Sequence, residues 1–133
     1  MLHIFPVRVY YEDTDCGGIV YHANYLKFFE RARVEAFRAK GFELNKLLCD
    51  YDIQFVVHSV QLEFLQPARL DQLLYIVTKV TEVRFASIKY TQKVYLEEVE
   101  GPLLCNAYFR IACLNRDYRP QGLPDILSKG IRQ

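Results

Sequence analysis

No stretch of this sequence approaches the ~20 uninterrupted apolar residues that a membrane-spanning helix needs, and the N-terminus lacks a basic segment followed by a hydrophobic signal core. A cytoplasmic location is therefore expected. An excess of either charge is also missing. The 17 basic residues stand against 16 acidic ones, a formal net charge of +1, which sets up no global field for nucleic acid. The basic residues are dispersed among acidic ones and the tyrosines are evenly spread, so no nucleic-acid partner is expected. The four cysteines, Cys16, Cys49, Cys105 and Cys113, form no close CxxC pair, which argues against zinc and against a disulfide framework. Three of them lie in core-like contexts and read as small buried hydrophobes in a reducing compartment. Cys16 is the exception. Internal repeats, low-complexity tracts and linkers are absent as well.

What is present is a chain of 133 residues, 51% of them hydrophobic, which argues against disorder and for one domain over residues 1–133. A first strand is expected from Phe5 to Tyr11, with Phe5, Val7, Val9 and Tyr11 on its apolar face. A buried Tyr11 hydroxyl would then need a partner from the loop that follows. From Ala23 to Lys40 the residues Tyr25, Phe28, Phe29, Ala32 and Ala36 share one helical face, and Gly41 supplies a C-cap. A short helix from Glu43 to Leu48 follows. Beyond Asp52 the period becomes two, predicting strands at Ile53–Gln66, Leu73–Arg84, Ser87–Glu97 and Leu103–Asn115. The turns between them are short, so consecutive strands are expected to be hairpin neighbours. Leu123 to Lys129 is expected to add a final helical turn or two. The sum is an α+β layout, the hotdog fold: an antiparallel five-stranded sheet wrapped around one long central helix. Its long strand edges call for at least a homodimer.

The densest group of reactive side chains runs from Tyr10 to Tyr25: Tyr-Tyr-Glu-Asp-Thr-Asp-Cys-Gly-Gly-Ile-Val-Tyr-His-Ala-Asn-Tyr. Hydrolysis of a thioester would need a nucleophile or activated water, and a stabiliser for the carbonyl oxygen. Asp15 suits the first role, because it precedes a Gly-Gly pair where the chain bends and a substrate can approach the backbone. The free amides of the first helical turn near His22 and Ala23 suit the second. The His22 ring could donate to the carbonyl, position the carboxylate or relay a proton. Gly18, Val20 and Tyr21 are expected on the substrate-binding side. Blander readings exist for the same residues. Asp13, Thr14 and Asp15 are also ordinary turn formers, and a His before a helix is commonly structural. A Cys16 nucleophile with His22 as base lacks anything that activates the thiol. A metal held by Asp13, Asp15 and His22 would need help from elsewhere to complete its coordination, so no metal is expected.

These residues carry a resemblance. Val7-Arg8-Val9-Tyr10-Tyr11-Glu12-Asp13-Thr14-Asp15 through Tyr25 and on to Leu26-Lys27-Phe28-Phe29-Glu30-Arg31-Ala32-Arg33 resembles the YbgC-type acyl-CoA thioesterases of the 4-hydroxybenzoyl-CoA thioesterase family. Phe55-Val56-Val57, Pro67-Ala68-Arg69-Leu70-Asp71, the Ser87 to Val94 strand and Leu123-Pro124 extend it over nearly the whole chain. The resemblance implies hydrolysis of acyl-CoA to free CoA and a carboxylic acid without metal or organic cofactor, by dimers often paired into tetramers. By position it makes Asp15 the catalytic carboxylate, as nucleophile or general base. Tyr11 and His22 become further active-site residues, and the His22 amide the oxyanion donor. It also implies a possible association with the Tol-Pal envelope system and with phospholipid-synthesis proteins. Cys16 stands where the family has a small residue such as Ala, His58 where Arg is expected and Gln72 where Asp is expected. Basic side chains at the site mouth should meet CoA phosphates, with Arg69, Lys89 and Arg110 as candidates. Two other functions remain open: a hotdog dehydratase or hydratase, and a non-catalytic acyl-CoA-binding or envelope adaptor protein.

Overall fold

Alternating apolar residues fold into five strands in the computed structural model, which describes residues 1–133: β1 (Leu2–Arg8), β2 (Gln54–Phe64), β3 (Leu73–Val83), β4 (Ser87–Leu96) and β5 (Leu103–Leu114). Three helices join them, α1 (Asn24–Ala39), α2 (Leu44–Tyr51) and α3 (Asp125–Arg132). The strands form one antiparallel sheet in the order β1-β3-β4-β5-β2. β3, β4 and β5 are hairpin neighbours as their turns predict. β2 and β3 are not, because β2 pairs with β5 and β3 with β1. The connection from Leu65 to Gln72 is long enough for this: eight extended residues reach ~26 Å, and three strand spacings need only ~14 Å. It starts on the Leu104 carbonyl of β5 and then bonds to the β1–α1 loop, as in Val20 N–H to the Ala68 carbonyl (2.8 Å) and Asp71 N–H to the Val9 carbonyl (3.0 Å).

α1 lies against the sheet through Tyr25, Phe28, Phe29, Ala32 and Ala36, all buried as the helical stripe predicts, joined by Asn24 and Phe37. Phe28 and Phe29 are fully buried, and truncating either to alanine would cost about 3–5 kcal/mol. The helix ends where Gly41 takes φ 89°. There Gly41 N–H donates to the Arg38 carbonyl (2.9 Å) and Phe42 N–H to that of Phe37 (2.9 Å), the paired bonds of a Schellman motif. Aromatic contacts run along this layer. Tyr25 meets Phe64 with ring centroids 5.6 Å apart, and Phe29 meets Phe109 at 5.7 Å. No helix is long and apolar enough to cross a membrane.

β2 carries a bulge at His58, between the Val57–Ile111 and Ser59–Arg110 pairs. Phe55, Val57, Val60, Leu62 and Phe64 therefore all stand opposite buried residues of β5, namely Cys113, Ile111, Phe109, Ala107 and Cys105. Were His58 paired in register with no bulge, the second half of the strand would present its polar side to the helix layer.

Two further expectations need correction. The first strand ends at Arg8, and Tyr11 begins a 3-10 turn, Tyr11–Asp13, in which its side chain is 82% exposed. The cause is Asp13, whose carboxylate accepts the Tyr10 N–H (2.8 Å) and turns the chain off the strand. Cys105 and Cys113 are buried, but Cys49 is exposed, because α2 buries only Leu47.

Candidate active site

The loop between β1 and α1 is held at its root by Asp13. This carboxylate is 8% exposed. Its Oδ2 accepts the Tyr10 N–H and its Oδ1 accepts Asn24 Nδ2, both at 2.8 Å, and the Asp13 carbonyl accepts the Tyr21 N–H at 2.9 Å. Both oxygens are thus engaged inside the chain, which commits Asp13 to the shape of the loop.

Beyond this latch the chain makes a tight hairpin closed by a Thr14–Val20 bridge. Asp15 N–H donates to the Ile19 carbonyl and Gly18 N–H to the Asp15 carbonyl, each at 3.0 Å, with Gly18 at φ 77°. Asp15 is exposed, and its Oδ1 accepts the Gly17 N–H at 2.8 Å. A side chain at position 17 would bring its Cβ to 3.1 Å from that oxygen, so the glycine admits this close backbone approach. Oδ1 is fixed, while Oδ2 has no partner within the chain. Cys16, at the hairpin tip, is exposed as well.

The chain then enters α1. Asn24 N–H bonds the Tyr21 carbonyl (2.8 Å), but the amides of His22 and Ala23 donate to no group of the chain. They sit at the start of a 16-residue helix, where the backbone dipoles favour negative charge. The exposed His22 ring makes no hydrogen bond. It rests edge-on against Tyr21 (centroids 4.7 Å apart) and Phe64 (6.1 Å). Beside it opens a largely apolar cleft of about 320 Å³, walled by Ile19, Val20, His22, Tyr25, Phe64 and Leu65. Burial pushes the Tyr25 phenol up to about 12, with the neighbouring Cys105 thiol adding to the rise. Tyr25 is therefore neutral at ordinary pH and acts here as wall rather than base.

The structure brings Asp15, Gly18, Val20, Tyr21 and His22 onto one hairpin and its exit into α1. Arg69 joins them at the rim, exposed and bridged to Ile19. It does not bring Tyr11 into the cleft: that ring lines a separate shallow opening with Tyr10, Glu12 and Leu70. Nor does it bring Lys89, which lies on the sheet face away from buried Ile88 and Tyr90, 3.1 Å from Glu82. Lys89 and Arg84 together hold the Glu82 carboxyl below the usual range. Arg110 pairs across the ladder with Lys89, on that same face. Phe64 and Leu65 escape a sequence reading altogether, because they reach the cleft from the far end of β2 and nothing local marks them.

A family model for the thioesterase superfamily matches residues 17–102. Among curated proteins, the chain is 40% identical to the acyl-CoA thioester hydrolase YbgC of Escherichia coli O157:H7, over 97% of this chain and 95% of that one. It is 44% identical to the acyl-CoA thioesterase YbgC of Haemophilus influenzae, over 84% of this chain and 79% of the other. A crystal structure of a probable thioesterase from Bartonella henselae superposes with a TM-score of 0.87 at 37% identity, covering 93% of this chain and all of that one.

Proposed function

The chain belongs to the thioesterase superfamily, and from that footing we propose that it hydrolyses acyl-CoA thioesters to free CoA and a carboxylic acid. The observation that carries the reading is the hairpin, which holds a half-engaged carboxylate at its tip and leads at its exit into two free helix-terminal amides. By the pairing of the hairpin, Asp15 and His22 are three positions apart, roughly 10 Å of backbone. A thioester carbonyl fits between them. The His22 and Ala23 amides take the charge that develops on its oxygen, a contribution of about 10² to 10³ in rate for each such donor. Oδ2 of Asp15 either attacks the carbonyl carbon, through a mixed anhydride, or deprotonates a water that does so. The acyl group occupies the cleft beside Phe64, with Gly18, Val20 and Tyr21 along its path. The His22 ring, held by Tyr21 and Phe64, closes one side. Arg69 at the rim meets a phosphate of CoA.

The working molecule is a homodimer joined along β2. That edge strand has neither Pro nor Lys, unlike β1 with its Pro6, and it leaves Val57, Val60 and Phe64 40–49% exposed. Such an edge pairs with another copy unless it is blunted. We place the protein in the cytoplasm, where its four free thiols stay reduced.

The test is thiol release across short, long and aromatic acyl-CoA esters by wild type and by Asp15→Asn. Wild type should turn over at least one ester, and the variant should lose nearly all of that rate. Retention of full turnover by Asp15→Asn sinks the assignment. In a single turnover in H₂¹⁸O, label in Asp15 marks the nucleophilic role with water attacking the Asp15 carbonyl of the anhydride, whereas label in the acid alone fits either a general base or water attack on the acyl carbon.

A further inference from the structure

The buried polar side chains of the protein are Asp13, Asn24, Thr78 and Gln92. The first two bond to each other at the root of the loop, and the other two lie beneath α1. Gln92, on the inner face of β4, is completely buried. Its Nε2 donates to the Phe29 carbonyl of α1 at 3.0 Å and to Thr78 Oγ1 of β3 at 2.9 Å. Its Oε1 accepts from Arg33 Nη1, also on α1, at 2.9 Å. Both amide hydrogens and one oxygen lone pair are thus engaged, which offsets the desolvation of the amide. The partners also fix which way the amide faces, because a carbonyl only accepts and a guanidinium only donates.

A glutamine that served the sheet alone would direct its bonds to neighbouring strands. Two of the three bonds of Gln92 go instead to Phe29 and Arg33, one turn apart on the same side of α1. The rest of the contact between helix and sheet is apolar, through Tyr25, Phe28, Phe29, Ala32 and Ala36. Apolar attraction is non-directional, so it holds the helix down but sets its position along its own axis only coarsely, the more so at the two alanines. A hydrogen bond tolerates little change in length, and a fully satisfied buried network holds one arrangement.

The cleft beside His22 is built from two bodies that meet across this contact. His22 and Tyr25 ride on α1, and the hairpin is tied to the same helix by the Asn24 Nδ2 bond to Asp13 Oδ1 at 2.8 Å. Phe64 and Leu65 belong to the sheet, Leu65 through its N–H on the Leu104 carbonyl at 2.9 Å. We propose that Gln92 is a positioning residue, clamping α1 to β4 so that the free His22 and Ala23 amides stay in register with the Phe64 wall; the catalytic consequence rests on the acyl-CoA hydrolysis proposed above. Phe29 lies seven residues from His22, roughly 10 Å along a stiff helix, so a slip at the clamp is carried to the amides. A misplacement of about 1 Å there costs about 10²-fold in rate.

The experiment compares Gln92→Met, Gln92→Glu and Thr78→Val with wild type, in thiol release and in the backbone ¹H–¹⁵N signals of His22 and Ala23. Gln92→Met keeps the length of the side chain and loses all three bonds. Gln92→Glu still accepts from Arg33, which keeps it ionised, but it donates nothing to Phe29; it is the second arm should the methionine variant fail to fold. Thr78→Val removes one bond of the same amide on the sheet side only. Both Gln92 variants should lower kcat per folded molecule by about tenfold or more with KM within about threefold, because the amides meet charge that develops only in the transition state. Both should also shift the two amide signals. Thr78→Val should lower the melting temperature and keep kcat and both signals. Full kcat or unmoved amide signals in the folded Gln92 variants overturns the clamp. So does a matching loss of kcat in Thr78→Val, which marks an effect of stability alone. If wild type releases no thiol from any ester, the proposed activity falls and the amide signals alone decide the clamp. If wild type hydrolyses esters and the Gln92 variants do so unchanged, the clamp falls and the activity stands.

Discussion

Asp13 and Asp15 are the same residue type two positions apart on one loop, and the protein uses them in opposite ways. Asp13 is buried with both oxygens taken by Tyr10 and Asn24. Asp15 is exposed, with one oxygen held by Gly17 and the other open. The root of the loop spends its hydrogen-bonding capacity on shape, and the tip keeps some in reserve. A buried carboxylate with both oxygens engaged by its own chain is out of a substrate's reach, so residue type alone does not separate the two.

The comparison breaks if the two carboxylates respond alike to substitution. The largest expected effect is on rate: Asp15→Asn should lower kcat by about 10² to 10⁴-fold, with a melting temperature near that of wild type. Asp13→Ala should do the reverse in kind. It removes a buried acceptor of two hydrogen bonds and leaves Asn24 unpaired, for a loss of roughly 2–4 kcal/mol in denaturant unfolding, and activity should follow the folded fraction. A loss of activity at full stability for Asp13→Ala would undo the division of labour. Gly18→Ala comes next. Nothing lies within 4 Å of the added methyl, so its cost of about 1–2 kcal/mol comes from holding alanine at φ 77°, again readable by denaturant unfolding.

The smallest effect carries the exposed-against-buried contrast over to the thiols. Native protein should alkylate at Cys16 and Cys49 only, and denatured protein at all four cysteines. Burial raises Cys105 from 9.0 to about 12 and Cys113 from 9.0 to about 11, and Tyr25 from 10.0 to about 12. In each case the folded state holds its proton where the unfolded state has lost it. The stability they contribute is therefore full below about pH 9 and falls as pH climbs from 9 to 12. Rising stability across that range in a pH series of urea melts would contradict the burial of these groups.

Much of the fold is legible in the sequence because its signals are local. The stripe through Phe28, Phe29 and Ala32 suffices for α1, and the alternation from Leu103 to Cys113 suffices for β5. The sheet order is not legible, since the Leu65–Gln72 connection looks like a hairpin turn and only its bonds to Val9 and Val20 reveal a crossing. At the proposed site, the order of strand, Gly-Gly and helix singles out Asp15 and His22 as candidates beside the bland turn-and-helix reading of the same residues. Tyr11 is misplaced by strand periodicity, because the Asp13 carboxylate ends the strand before Tyr11 is reached. Arg33 belongs to neither the apolar stripe nor the solvent face of α1. Its partners are Gln92, which accepts its Nη1 hydrogen bond at 2.9 Å, and the Phe109 ring 4.2 Å away, both dozens of residues distant in the chain.

The bulge at His58 makes β2 a strand written in two reading frames. Up to Val57 the odd-numbered positions face the helix, and from Val60 onward the even-numbered ones do. A point substitution anywhere in the strand alters one side chain, whereas pairing His58 in register, with no bulge, would merge the two frames into one. Ser59, Gln61 and Glu63 would then turn inward, and Phe64, which walls the cleft beside His22, would turn out. The cleft beside His22 is therefore tied to the bulge at His58 as firmly as to any residue that lines it.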